Sequence, residues 1–386
     1  MTTPFVYLDH AATTPLDPRV RDALLPWLGE RFGNPSSRHK AGAAAAQAID
    51  AARGEVARAI GARREEVVFT SGGTEANALA VLGGARARRE HGRHALVGPT
   101  EHACVRECVQ ALAREGFEVE TLRLDARGAL DLEHAAARLR PDTILVAQML
   151  VQNEVGTIYP VRELARRVRA RSKHALLHVD AVQALGKLEL DVVDLGCDTL
   201  ALSAHKAHGP QGAGALFVRE GVVLEPLVHG GGQERGLRSG TPNVAAIVGF
   251  GAAAKLAEEL RPRHAHALQT LRTRLVEGLA RIPGARAFEP GAPHVAPHIV
   301  ALLIPGVPSE VRMHHLEELG VVVSAGSACQ AQKQSISPSL LALGLTPDES
   351  RTLLRISMSR TTTPTDIDTL LTALAQVEAK LAPPKR

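Results

Sequence analysis

One lysine stands out for what its neighbourhood would let it do. Lys206 lies between His205 and His208 in the stretch from Asp198 to Val218. A short apolar run precedes it, a turn rich in glycine with Pro210 follows, and a second apolar run, Ala215 to Val218, closes the stretch. That pattern predicts strand, tight polar loop, strand. A lysine at a strand end among small residues suits an imine with a carbonyl compound, provided that burial keeps part of the amine unprotonated. The alternative is a solvated loop lysine. A second nucleophile is Cys329, in a polar run ending at Pro338, flanked by small residues and distant from any apolar segment. Most cysteines pack in cores; this one reads as exposed and mobile, the setting of a reactive thiol.

Other polar clusters fall where strands are expected to end. Val67 to Thr70 predicts a strand that runs into Ser71, Gly72, Gly73 and Thr74, which open a helix. Free backbone N–H groups, the positive helix end and hydroxyls converge there, as in a phosphate seat. A plain N-capped helix, with Thr74 and Glu75 serving its first turn, is the other reading. No Gly-Lys-Ser/Thr ending makes it a nucleotide-binding P-loop. The strand Thr143 to Ala147 leads to Asn153, and the strand Ala175 to Asp180 leads to Gln183. His102 opens a helix after the strand Ala95 to Val97. It reads as a ring stacked on a flat cofactor or as a buried or capping histidine. Cys104 and Cys108 beside it lack a clear fourth ligand, so no metal site is expected. The glycine-rich run from Val228 to Asn243 carries Glu234, Arg235, Arg238 and Thr241, which suggests a recognition loop over a flexible linker.

These residues need a scaffold. The chain has 386 residues, 45% apolar and 22% charged, enough for a large α/β unit with an attached lobe. Strands alternate with helices from about Val67 to Val218, which predicts a mostly parallel sheet with its site at the carboxyl ends of the strands. A long helical region should start at Asn243, run to about Leu279 and break near Pro262. Further elements begin near Pro283, including a strand with Arg355 and a final amphipathic helix from Asp366 to Lys380. The net charge of +4 is spread over arginines such as Arg86, Arg88, Arg166 and Arg169, and aromatics are 3%. Nucleic-acid binding is therefore not expected. No apolar run approaches the ~20 residues of a membrane span, and the start lacks a secretory pattern, so a cytoplasmic protein is expected. Four cysteines in so long a chain make no disulfide framework.

Taken together, the motifs Phe69-Thr-Ser-Gly-Gly-Thr-Glu75, His178-Val-Asp-Ala-Val-Gln183, Ser203-Ala-His-Lys206, Gly230-Gly-Gly-Gln-Glu-Arg-Gly236, Arg238-Ser-Gly-Thr241 and Gly326-Ser-Ala-Cys329 resemble the cysteine desulfurases. These are pyridoxal 5'-phosphate enzymes of the class V aminotransferase superfamily, and the likeness runs from Tyr7 through Arg355. The resemblance implies a fold type I α/β architecture. A large domain over residues 15–255 would hold the mostly parallel sheet, and residues 1–14 and 256–386 would form a smaller α+β domain with the cysteine loop. It implies that Lys206 carries the cofactor, Asp180 pairs with its pyridine nitrogen, Gln183 bonds its phenolic oxygen and His102 stacks on its ring. Gly73, Thr74, Ser203 and His205 would hold the phosphate, with Thr241 reaching in from a second subunit of an obligate homodimer. Asn153 and Arg355 would bind the substrate carboxylate, with Asn34 close by. L-Cysteine would be the substrate, Cys329 the sulfur-receiving nucleophile, and an iron–sulfur scaffold or tRNA-thiolation protein the acceptor.

There are departures. The run from Cys329 to Pro338 is longer than the resemblance leads one to expect and reads Gln-Ala-Gln-Lys-Gln where a Ser/Thr-rich run is usual. Gln152 stands where an asparagine is common. The chain ends at Arg386, short of the extended tail with which some members dock a scaffold, so the acceptor stays open. A selenocysteine lyase or aminotransferase, for which Cys329 would be dispensable, and a non-catalytic binding subunit are the competing readings.

Overall fold

The computed structural model describes residues 5–289, 294–326 and 336–381. Its strands are β1 (Val6–Tyr7), β2 (Val67–Thr70), β3 (His94–Val97), β4 (Glu118–Thr121), β5 (Thr143–Met149), β6 (Leu176–Asp180), β7 (Thr199–Ser203), β8 (Gly214–Val218), β9 (Arg286–Phe288), β10 (Ile299–Leu303), β11 (Val321–Val322), β12 (Ser324–Ala325) and β13 (Leu353–Ser357). Seven of them form one sheet in the order β2-β8-β7-β6-β5-β3-β4. The ladders from β7 to β4 are parallel, and β8 is antiparallel to both its neighbours. The expected mostly parallel sheet is therefore present.

Helices cover both faces of this sheet, which explains its sequence. All seven residues of β5 and all five of β6 are buried. A strand covered on both sides reads as a continuous apolar run, not an alternating one. At the edge, β4 carries the charges of Glu118 and Glu120, which blunt an otherwise open row of backbone groups.

A second, antiparallel sheet has the order β12-β13-β10-β9, and β1 pairs with β11 beside it. Its core includes Val300, Leu302, Leu354 and Ile356, packed on Leu370, Leu374 and Val377 of the helix Pro364–Leu381. Arg312 is wholly buried here. It pairs with Glu378 at 2.6 Å and also donates to the carbonyls of Pro305 and Val307. A buried guanidinium is tolerated only when its donors are met in this way.

One helix, Val244–Gly278, serves both regions. Asn243 caps it, its side chain accepting from the Ala246 N–H at 3.1 Å. Ala246, Ile247, Phe250 and Ala254 join the core under the large sheet, whereas Leu268, Leu271 and Leu275 join that of the small sheet. The break expected at Pro262 does not occur. Pro262 is exposed, so water can serve the carbonyl one turn earlier that it leaves without a donor, and burial on both sides of it holds the helix through.

The glycine-rich run is no loose linker. Arg53 clamps the Glu234 carboxylate at 2.7 and 2.8 Å, and the Phe69 N–H donates to it at 2.8 Å. These bonds hold Glu234 and Arg235 at φ of 47° and 58°, a region that non-glycine residues enter only under constraint.

Candidate active site

The carboxyl ends of the large sheet open into a cavity of about 250 Å³. Lining it are ten of the residues singled out in the sequence: Gly73, Thr74, His102, Asn153, Asp180, Gln183, Ser203, His205, Lys206 and Arg355. Asn34 and Thr241 do not line it; both are exposed, and the Asn34 Oδ1 accepts from the Ser36 N–H. Asn34 thus makes a local turn in the single chain and is not brought to the cavity. Cys329 lies outside the described residues, although Gly326, Ser337 and Ser339 on either side of that stretch do line the cavity.

Lys206 ends a single helical turn, Ala204–Lys206, directly after β7. Its ammonium donates to the carbonyls of Ala11 and Ala12, each at 2.6 Å. His205 is pushed down to about 4 by burial and then by the charges of Lys206 and Lys187, so it is a neutral ring.

Asp180 ends β6 and is oriented by two donors. The Val182 N–H reaches one oxygen at 3.0 Å and the Asn77 amide the other at 2.7 Å. Asn77 is itself set by His178. The Asn77 Oδ1 can only accept, so His178 donates through Nε2 at 2.8 Å and takes the Thr199 hydroxyl at Nδ1, 3.0 Å. Burial pushes His178 down to about 3, which keeps it in that neutral form. The carboxylate direction is therefore fixed through a relay of three side chains.

His102 is the N-cap of the helix Ala103–Arg114, its Nδ1 accepting from the Cys104 N–H at 3.2 Å. The two sequence readings of this histidine are thus compatible: it caps a helix and lines the cavity. Cys104 Sγ lies 3.1 Å from that Nδ1 and 3.2 Å from the Asn77 amide nitrogen.

Arg355 comes from the middle of β13 and is 4% exposed. It pairs with Asp9 at 2.7 Å and donates to the Asn153 carbonyl at 3.0 Å, while its Nε is buried and, among the described residues, has no hydrogen-bond partner. A buried unpaired donor on a guanidinium is a standing demand for an anion.

Two further features bear on what the cavity could hold. The Gln183 Oε1 is buried with no partner among the described residues, a polar atom that a bound group would have to satisfy. At Gly73 a Cβ would sit 2.7 Å from Val182 Cγ2 and 3.5 Å from Ser203 Cβ, so only glycine lets this helix start lie on the cavity floor. Beside it, Ser71, Gly72, Gly73, Thr74, Ser203 and His205 line an adjoining hollow at the helix N-terminus, which suits an anionic group. A flat ring with an acidic tail fits this donor set.

Sequence reasoning missed Asn77, Glu101 and Glu154. Glu101 is fully buried beside Asp180, and burial followed by that neighbour's charge pushes it up to about 8. Glu154 accepts from Ser337 at 2.9 Å, and burial raises it as well. The one available signal was helical spacing: Asn77 follows Gly73 by four residues and so shares its face.

Comparison with known proteins agrees with this geometry. The family model for class-V aminotransferases matches residues 6–370. Cysteine desulfurase IscS 1 of Archaeoglobus fulgidus is 40% identical over 376 residues, covering 97% of both chains. The chain belongs to the class-V aminotransferases and, within them, to the cysteine desulfurase family. Cysteine desulfurase IscS of an Anaeromyxobacter species is 41% identical over 379 residues, covering 97% of this chain and 93% of the other. Among solved structures, a NifS-like protein superimposes with a TM-score of 0.92 at 35% identity, covering 97% of this chain and all of the other. SspA in complex with cysteine gives 0.79 at 33% identity, covering 91% and 98%. Family membership accounts for a site assembled from the ends of β6 and β7 together with an arginine of the second sheet. Among the described residues, no helix is long and apolar enough to cross a membrane.

Proposed function

We propose that this chain is a cysteine desulfurase: it takes sulfur from free L-cysteine, releases L-alanine and holds the sulfur as a persulfide on Cys329. The observation that carries the reading is the convergence of a lysine amine, an oriented aspartate and an arginine with an unmet donor around one cavity. The cofactor is pyridoxal 5'-phosphate, which when bound supplies a ring able to accept the electron pairs left on the substrate carbons. Lys206 would hold it. Gly73, Thr74, Ser203 and His205 would seat its phosphate, Asp180 would face the pyridine nitrogen, Gln183 the phenolic oxygen and His102 the ring.

The residues of the chain divide the work. Arg355 and Asn153 bind the carboxylate of L-cysteine and so aim its Cα toward Lys206. The Lys206 amine removes the Cα proton and later returns one. The Cys329 thiolate attacks the substrate sulfur; the S–S bond forms as the C–S bond breaks, and the remaining carbon skeleton is protonated to alanine. The large domain would span 15–255 and the smaller one 1–14 with 256–386. In a homodimer the partner's Thr241 would complete the phosphate seat; within one chain Thr241 is exposed and outside the cavity. The persulfide would pass to an iron–sulfur scaffold or tRNA-thiolation protein in the cytoplasm.

The test is mass spectrometry of the cofactor-loaded protein after incubation with L-cysteine. One added sulfur on Cys329, with alanine released in step, is expected. Cys329→Ala should keep the visible band of the cofactor and lose turnover at least about 10³-fold. Full-rate alanine formation by that variant would remove the reading.

A further inference from the structure

The carbonyl groups of the turn around Lys206 are held one by one. The His205 carbonyl accepts from the Thr14 N–H at 2.9 Å and the Thr14 hydroxyl at 2.7 Å. The His208 carbonyl accepts from the Asp17 N–H at 3.1 Å. These are neutral donors. The carbonyl of Lys206 itself is different: it accepts from the Lys187 ammonium at 2.5 Å. Lys187 is 8% exposed, and among the described residues no carboxylate is paired with it. A neutral donor would have fixed the turn equally well. A second amine buried behind the first does more than fix it, because its charge acts on Lys206 through a medium of low dielectric.

We propose that Lys187 is a positioning residue that also sets the proton affinity of Lys206, holding the turn through the Lys206 carbonyl and disfavouring a second positive charge on the Lys206 amine. The inference rests on Lys206 being the cofactor-bearing lysine.

The surroundings of Lys187 favour this role. Burial, and then the charge of Lys206, push Lys187 down to about 7, so its own proton is labile near neutrality. The other titratable groups that feel its charge are His10, His205, His208 and His298. Burial pushes His10 and His205 down to about 4, His208 to about 3 and His298 well below its usual range. All four are therefore neutral where Lys187 titrates. His264 and Arg360 line a small hollow with Lys187, and the Arg360 charge is taken up by Asp17 at 2.6 Å. Lys206 is the positively charged group that acts on Lys187, so a proton on either one weakens the hold of the other.

The sign is testable without turnover. Taking the positive charge from residue 187 should make the nitrogen of Lys206 easier to protonate. In the cofactor-loaded protein, the pH midpoint of the visible band should then rise, by about one pH unit, in Lys187→Met and in Lys187→Gln. Lys187→Arg keeps the charge and should leave the midpoint near that of the parent. If Lys187→Met does not fold, as judged by circular dichroism, Lys187→Gln decides. A parental midpoint in a folded uncharged variant overturns the proposal. So does a midpoint in Lys187→Arg displaced as far as in the uncharged variants, since packing alone would then explain it. A Lys206→Ala protein that retained the band would instead overturn the reading of Lys206, so the two failures are distinguishable.

Discussion

The two sheets deliver site residues in opposite ways. The large parallel sheet supplies its cavity residues from the ends of its strands: Asp180 is the last residue of β6, and Ser203, His205 and Lys206 cluster at the end of β7. The small antiparallel sheet supplies Arg355 from the middle of a strand whose five residues are all buried. In a parallel sheet the strand ends point the same way, so unrelated loops meet at one edge and can be changed without disturbing the ladder. A mid-strand arginine has no such freedom. Its position is locked by backbone pairing with Ala301 and Ser324, and its charge by Asp9. The parallel sheet thus carries groups at adjustable loop junctions, and the antiparallel one a charge fixed in place.

This contrast can be broken in graded steps. Lys206→Ala should abolish the visible band and slow alanine formation at least about 10³-fold together, since in the proposed mechanism one group serves both binding and proton transfer. Next, Arg312→Ala should destabilise the small-sheet region by about 3 kcal/mol, since the half-buried Glu378 would lose its partner and the wholly buried site of the guanidinium would be emptied. A urea midpoint unchanged from the parent would show that this ion pair contributes nothing. Arg355→Gln should raise KM for L-cysteine about 10- to 100-fold, the loss of a charge-assisted hydrogen bond, while the band persists. If the band vanished with it, the assignment of Arg355 to substrate alone would fall.

The smallest effect concerns Glu101 on the floor of the parallel sheet. Its folded value, about 8, lies above the ordinary carboxylate range. The unfolded chain therefore loses this proton first, so the protein loses stability as pH rises from about 4.5 to 8, with no further loss above that. Glu101→Gln cannot ionise and should flatten this slope. Chemical denaturation at pH 5 and pH 8 measures it: the gap between the two midpoints should be narrower in the variant.

Much of the parallel half was legible because its logic is local. A strand pattern followed by a polar cluster locates a strand end, and Lys206, Asp180, Gln183 and the Gly73 helix start all obey that rule. What escaped was non-local. Asn77 sits inside a helix, where an asparagine carries no distinctive pattern, and its importance comes from touching Asp180 across 103 positions of sequence. Asp9 reaches Arg355 across 346. Pro262 misled for a related reason: a local rule against proline within helices could not weigh two separate cores gripping the same rod.

That rod has a mechanical consequence. Because Val244–Gly278 is anchored in both cores, swinging the small sheet away from the large one would require bending a 35-residue helix or tearing leucines from their packing. The gap between the amine of residue 206 and the guanidinium of residue 355 is thus braced like the jaws of a fixed caliper.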